Sequence, residues 1–406
     1  MTPPVGPLTG TAPLRPDPTG PLAGIVVADF SRILAGPYCT MLLADMGATV
    51  IKVESPHGDD TRSWLPPTRS DVSTYYLAVN RNKQSIELDL KDADDLDVAR
   101  ELVTRADVVI ENFKPGGLRR FGLDYESVRE LNERIIYSSI SGFGSGLGAS
   151  LPGYDLSVQA ISGLMSLTGA PDGQPYRAGI SVFDVMTGMH SAIGILAALH
   201  HRDLTGEGQL IETNLLSSSL SGLANQTSAF VAGGVVPKRM GNAHLSLFPY
   251  EPLPTKDGEL VVIAGNDHQF ESLCRALGSA RLAEDPRFRT VADRNQRREE
   301  LRPLLVDLLS AHTAAEWFDT LSEAGVACAP IQDVAAGVQF AEGLGLEPVV
   351  LAGRGATAVP TIRNPITFSA TPNSYDLAPP TLGEQSREIR SWLQSFPTGS
   401  PEQGIQ

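Results

Sequence analysis

A side-chain carboxylate at the mouth of a long helix, with glycines around it, has the makings of an oxygen nucleophile. One stretch of this 406-residue chain carries that pattern. In Gly179-Ile-Ser-Val-Phe-Asp184-Val-Met-Thr-Gly188-Met-His-Ser-Ala-Ile-Gly-Ile-Leu-Ala-Ala-Leu-His-His-Arg202, the apolar positions Val185, Met189, Ala192, Ile193, Leu196, Ala197 and Leu199 recur at helical spacing. Asp184 therefore reads as the N-cap, and His200, His201 and Arg202 close the helix where cations suit its dipole. A plain cap needs nothing more than a carboxylate accepting a first-turn amide. The small residues Gly179, Gly188, Ser191 and Gly194 add room beside the acid for a bulky ligand. The positive end of the helix favours the charged carboxylate, so Asp184 is expected to be ionised near neutral pH and poised to attack.

Such an acid needs a scaffold, and the chain ahead of it supplies one. An apolar run at Gly24–Phe30 is followed by a helix over Pro37–Met46, opened by proline in its first turn and closed by Gly47, and then by a strand over Ala48–Glu54. Helix Asp95–Arg105, strand Ala106–Asn112, helix Tyr125–Leu131 and strand Arg134–Ile140 extend the series, and strand Gly208–Asn214 follows the acid's helix. Repeated βαβ units predict an α/β fold with a doubly wound, Rossmann-like sheet, whose ligands sit at the carboxyl ends of the strands. Arg81, Lys83 and Arg119 lie in loops at those strand ends, as surface charges or as ligands of phosphate.

Ser141-Gly-Phe-Gly-Ser-Gly-Leu-Gly148 is glycine-rich and follows a strand, but it lacks the G-x-G-x-x-G spacing and opens no immediate helix. It reads as a flexible active-site loop. Tyr154 comes next, before a helix beginning near Asp155; a phenol of pKa ~10 is a poor base at pH 7, and its ring has the alternative of simple packing. Beyond a helix at Leu215–Phe230 the composition shifts at Val231–Pro237, and a strand at Glu259–Ala264 with helices at Asp267–Leu277, Arg294–Leu309 and Ala314–Ala324 forms a second region. The expected division is a disordered leader over 1–20, a large domain over 21–225 and 335–406, and a smaller α/β domain over 226–334.

A formal charge of −15 argues against a nucleic-acid surface. Ile193–Leu199 and Val261–Gly265 are too short to span a bilayer, so no membrane association is expected. Cys39, Cys274 and Cys328 are scattered and odd in number, which suggests a reducing compartment and a cytoplasmic location. The seven histidines form no paired-ligand pattern, so no metal site is expected.

Several of these motifs, spread from about Leu22 to the Pro380 region, resemble the family III CoA-transferases of the CaiB/BaiF type, which include formyl-CoA transferases and 2-methylacyl-CoA racemases. The loops that carry the resemblance are Ser31–Pro37, Lys52-Val-Glu54 with Gly58–Arg62, Asn80–Asp89 and Glu111–Gly122. The resemblance implies that Asp184 is the catalytic aspartate and that Ile33, Leu34, Ala35, Asn112 and Phe113 flank the pantetheine and adenine of coenzyme A. It offers Arg81, Lys83, Arg119 and Arg120 for the phosphates, with Arg62 and Tyr154 as further coenzyme A-binding residues. Coenzyme A enters as a substrate, with no tightly bound cofactor; the partners are an acyl-CoA donor and a carboxylic acid acceptor. An interlocked homodimer is implied as well.

Two departures mark this chain within that family, Leu34 where formyl-CoA transferases have a glutamine and Ser55 where they have a phosphate-facing arginine. With no glycine run visible between 231 and 260, they point away from oxalate and toward a larger dicarboxylate. Tyr154 stands where the racemase branch has histidine. The alternatives are a racemase using Asp184 with another base such as His190, and a non-catalytic CoA-binding protein.

Overall fold

The computed structural model describes residues 19–396. The leader expected over 1–20 lies, for residues 1–18, outside the described residues. Two compact units are present: one comprises the chain up to Ser162, Ala178–Ser228 and the chain from Glu347, and the other comprises Gly163–Arg177 and Ala229–Leu346. The second unit is thus larger than expected, taking in 163–177 and running on to Leu346 instead of ending at 334.

The first unit is built on six parallel strands: β1 (Val26–Asp29), β2 (Thr49–Glu54), β3 (Lys83–Glu87), β4 (Val108–Glu111), β5 (Ile136–Ser141) and β6 (Gln209–Asn214). They pair in the order β3-β2-β1-β4-β5-β6. Strand order reverses between β1 and β4, which in a doubly wound sheet opens a crevice beyond their carboxyl ends. Strands β1, β2 and β4 are buried along their whole length, as their near-continuous Val and Ile runs require when helices cover both faces. The charged residues in those strands stand at or near the carboxyl ends: Asp29, Lys52, Glu54 and Glu111. Val26, Ala28, Ile51, Val109 and Tyr137 anchor the core, which the C-terminal helix Ser386–Gln394 completes with Ile389, Trp392 and Leu393.

The helices that matter for the crevice are α1 (Ala35–Asp45), α2 (Ala93–Arg105), α3 (Tyr125–Leu131), α4 (Asp155–Ile161), α5 (Val182–Thr205) and α6 (Leu215–Gly222). Helix α5 begins earlier than expected. Ser181 is its N-cap and Asp184 its third residue. Gly188 lets α5 lie directly on α1: a Cβ there would come within 2.5 Å of the Ala35 carbonyl oxygen. Gly194 faces Ile211 of β6, and Ser191 Oγ meets Thr213 Oγ1 at 2.8 Å. Three of the four small residues therefore serve helix packing instead of leaving room for a ligand, and Gly179, with open space beside it, does not line the cleft at the strand-order reversal.

One expectation is corrected by α5. It has 24 residues and an 18-residue window of mean hydropathy 1.6, so by length and composition it is long and apolar enough to cross a membrane. The shorter run at Ile193–Leu199 understated it, because Gly, Ser and His lengthen an apolar helix without charging it. Its Phe183, Ala192, Ile195 and Ala198 are nonetheless buried in the protein, and its C-terminal Arg202 pairs with Asp107 at 3.0 Å. The helix expected at Leu215–Phe230 is broken at Ala224, whose φ is 41°, into α6 and a second piece, Ala224–Val231.

The second unit has its own core. An antiparallel sheet of β7 (Tyr250–Pro254), β8 (Glu259–Ile263) and β9 (Ala327–Pro330), ordered β9-β8-β7, packs with helices α7 (Asp267–Ala276), α8 (Arg298–Leu309) and α9 (Ala314–Glu323) around Phe248, Phe270, Leu301 and Trp317.

Candidate active site

A cleft of about 650 Å³ opens at the strand-order reversal and lies wholly within the first unit. Its walls come from the loop after β1 (Arg32, Ile33, Leu34, Ala35), the loop after β4 (Asn112 through Gly117, with Arg120), the ends of the glycine loop after β5, and Tyr154, Asp184 and Leu215. Gly142 and Gly153 abut, so that a Cβ on Gly153 would lie 2.5 Å from the Gly142 Cα, and this close approach brings Tyr154 to the cleft. Tyr154 is 62% exposed, so its alternative role in core packing does not apply.

Asp184 is half-buried in this cleft. Burial, followed by the nearby carboxylate of Asp155, pushes its pKa up to about 7. The expectation of a carboxylate kept fully ionised by the helix field is therefore corrected: desolvation and a like charge outweigh the dipole. The reason lies in α4. Asp155 is buried, its Oδ1 accepts the amides of Phe183 at 2.8 Å and Asp184 at 3.2 Å, and its Oδ2 accepts Gln159 Nε2. Asp155 supplies the cap assigned to Asp184 from sequence, leaving the Asp184 side chain free to face the cleft. The same bonds occupy the two amides beside Asp184, so these are not available to stabilise an oxyanion.

The loop after β1 is pinned by its main chain. Ser31 N donates to Asp29 Oδ1 at 2.9 Å, and the Ser31 carbonyl accepts Lys52 Nζ at 3.0 Å. Asn112 bonds both sides of the Arg32 peptide, its Oδ1 accepting Arg32 N at 2.9 Å and its Nδ2 donating to the Arg32 carbonyl at 2.7 Å. Ile33 has φ 69°, a left-handed backbone that costs a β-branched residue on the order of 1–3 kcal/mol. Leu34 packs below with Met41 and Val79, against Tyr38, Tyr75 and Val185.

Of the predicted ligand-binding residues, the structure brings Ile33, Leu34, Ala35, Asn112, Phe113, Arg120 and Tyr154 together with Asp184. Four cations stand elsewhere. Arg62 is bound to Glu54 at 2.7 Å, to the Tyr76 hydroxyl at 2.6 Å and to the Pro380 carbonyl. Arg81 is buried in a bidentate pair with Asp45, with Thr361 as a further partner. Lys83 is fully buried against Asp29 at 3.2 Å, the Pro37 carbonyl and Asn80. These three are corrected to internal structural cations, because acids already neutralise them, Glu54 eight residues before Arg62 and Asp45 and Asp29 much further from Arg81 and Lys83. Arg119 is exposed and paired with Asp124 at 3.3 Å, outside the cleft lining.

The cations that do line the cleft include Arg32 and Lys114 beside Arg120. Neither Arg32 nor Lys114 was singled out from sequence, although both sit in the loops that were. The Arg32 guanidinium lies 5.3 Å from the centre of the Phe113 ring and 3.5 Å from Asp60. Asp155 and Glu111 were missed too. Burial raises Glu111 to about 7; its carboxylate accepts Phe113 N at 2.7 Å and Ser139 Oγ, steadying the loop that supplies Asn112 and Phe113. A buried acid closing a Val-Val-Ile strand is the signal that would have found it. Tyr75 is a further neighbour of Asp184, whose charge, after burial, raises the tyrosine's pKa. His190, the alternative base, lies outside the cleft lining with Nδ1 3.0 Å from Ser218 Oγ. Among the described residues no cluster of three or more His, Cys, Asp or Glu is arranged to hold a metal ion.

Comparison with known proteins gives a consistent picture. The model of CoA-transferase family III matches residues 22–386. The chain is 43% identical to the succinate–glutarate CoA-transferase of Agrobacterium fabrum, over 94% of this chain and 98% of that protein. It is 38% identical to the acetyl-CoA:oxalate CoA-transferase of Acetobacter aceti, over 94% and 98%. Among solved structures, a CAIB/BAIF family protein from Brucella suis superimposes with a TM-score of 0.82 at 41% identity, covering 92% of this chain and 100% of that one. Matched along most of its length by both sequence and fold, the chain belongs to CoA-transferase family III.

Proposed function

We propose that the protein is an acyl-CoA:carboxylate CoA-transferase in which Asp184 is the nucleophile. The observation that carries this reading is a half-buried carboxylate, freed from helix capping by Asp155, in a cleft that also presents Arg32, Lys114 and Arg120. A carboxylate suits the exchange because each covalent intermediate keeps the activation of the thioester. An Asp184 oxygen attacks the donor carbonyl, the C–S bond breaks, and CoA leaves as thiolate from a mixed anhydride. The thiolate attacks the Asp184 acyl carbon and the anhydride C–O bond breaks, releasing the donor acid and leaving an aspartyl-CoA thioester. The acceptor carboxylate runs the two steps in reverse, with no net change in protons or electrons.

The cleft cations suit the phosphates of coenzyme A, and Arg32 offers a guanidinium in place of the arginine that Ser55 replaces. Oxyanion stabilisation falls to the first turn of α1, which has no side-chain cap and places Ala35 in the lining. The acceptor class is a small dicarboxylate. Relatives named for glutarate and for oxalate support that class, and Leu34 in the wall favours the longer acid. A racemase is disfavoured by Tyr154 in the cleft and by His190 outside its lining. A homodimer is supported by the outer face of α5, where Ile193 is 63% and Leu204 73% exposed.

The test is intact-mass analysis after incubation with succinyl-CoA, alongside a donor and acceptor screen. A covalent CoA adduct on Asp184, absent with glutarate turnover in Asp184→Ala, is the expected result. Turnover that survives Asp184→Ala rejects the reading.

A further inference from the structure

The wall formed by Ile33, Leu34 and Ala35 takes a backbone shape that isoleucine resists, so something outside the loop must impose it. The bonds from Asn112 and Asp29 reach Arg32 and Ser31, and neither touches Ile33. The Ile33 amide instead donates to both oxygens of Asp59, at 3.3 and 3.2 Å. Asp59 is buried. Its Oδ2 lies 2.8 Å from the Lys52 ammonium, which is wholly enclosed and donates also to the Ser31 carbonyl at 3.0 Å. Thr61 completes the set through its amide at 3.0 Å and hydroxyl at 2.7 Å to Asp59 Oδ1, while the Asp59 amide is held by Glu54 Oε1 at 3.0 Å.

We infer that Asp59 is a positioning residue of the transferase: it straps the Ile33 amide to the buried Lys52 ammonium and so fixes the wall that receives the acyl-CoA. The inference rests on the CoA-transferase reading above. Asp59 lies outside the cleft lining and touches the ligand space only through the main chain of Ile33. Lys52 acts at both ends, holding Asp59 on one side and the start of the loop on the other. The Ile33 bond is bifurcated and long, but a hydrogen bond to an ionised carboxylate is worth the same order of free energy as the backbone cost at Ile33. A role confined to the turn after Asp59 would have no connection with the residue type at position 33.

That difference makes the strap testable by titration calorimetry with coenzyme A on the full-length protein. Asp59→Asn keeps the size of the side chain and one acceptor oxygen but not the ion pair, and is expected to weaken CoA binding about tenfold. In an Ile33→Gly background the same change is expected to cost about twofold or less, because glycine takes positive φ unaided. In an Ile33→Ala background the full loss returns. Equal losses in the glycine and alanine backgrounds overturn the proposal.

If Asp59→Asn fails to fold, Ile33→Gly and Ile33→Ala suffice with Asp59 in place. Both variants lose the Ile33 side chain, so the glycine variant is expected to bind CoA more tightly and melt higher than the alanine variant, and equal values for the two overturn the strap. Asp184→Ala separates the two claims. The expected variant pattern in a protein that never transfers CoA rejects the reaction and keeps the strap; equal losses with transfer intact do the opposite.

Discussion

The Oδ1 oxygen of Asp155 lies 3.2 Å from the main-chain nitrogen of Asp184, so one carboxylate caps the helix that presents another to the cleft. This relationship frees the second acid and also disturbs it. Burial first, and then the charge of Asp155, raise Asp184 to about 7, and so the candidate nucleophile is only partly ionised at neutral pH.

The rate should therefore follow the ionisation of Asp184. With attack reserved to the carboxylate, kcat/KM is expected to rise with pH through about 7 and then level. Asp155→Asn removes the neighbouring charge while its remaining oxygen still accepts the amides, and should move that limb to lower pH. Glu111→Gln, at the other acid raised to about 7, should leave the limb where it is. Profiles of kcat/KM against pH for the three proteins check this.

Stability should move the opposite way. Asp184 and Glu111 both hold protons in the folded protein that the unfolded chain, with ordinary values of 3.8 and 4.5, has already released. Their contribution is full below those values and is lost as pH rises toward about 7, so the urea midpoint should fall across that window. The double variant Asp184→Asn, Glu111→Gln should flatten the dependence. Urea titrations at about pH 5 and about pH 8 measure it.

Cations facing the cleft and cations inside the fold should fail differently. Arg120→Ala or Lys114→Ala is expected to raise KM for the acyl-CoA about three- to tenfold with little change in urea midpoint, since a hydrogen bond to a charged group is worth little more than that when water reaches it. Arg81→Gln strands the buried Asp45 carboxylate and should cost about 3–5 kcal/mol of stability, with KM unchanged in the protein that still folds. Parallel KM and denaturation measurements distinguish the two classes.

The contact between α5 and α1 gives a geometric prediction. Gly188→Ala would drive a methyl to 2.5 Å from the Ala35 carbonyl oxygen, so the helices must part. A loss of about 1–3 kcal/mol is expected, with a fall in kcat as Asp184 moves from the wall that Ala35 forms. Thermal melting and steady-state kinetics on the same preparation test both parts.

Sequence alone determined a good deal here, because the information was local. Continuous Val and Ile runs become strands buried on both faces, and their order along the chain with helices between them makes a parallel sheet. The loops after β1 and β4 and the helix bearing Asp184 are short motifs that could each be located locally, but only the family resemblance joined them into one site. Tertiary structure decided what depends on distant partners. Arg81 meets an acid 36 residues away and Lys83 one 54 residues away, so no local spacing could remove them from the phosphate site. The cap on α5 comes from 29 residues upstream, and with it came the freedom of Asp184 and its raised pKa. Hydrophobic pattern fixes which segments bury a face, whereas the pairing of charges and the water left around them is set only when those segments meet.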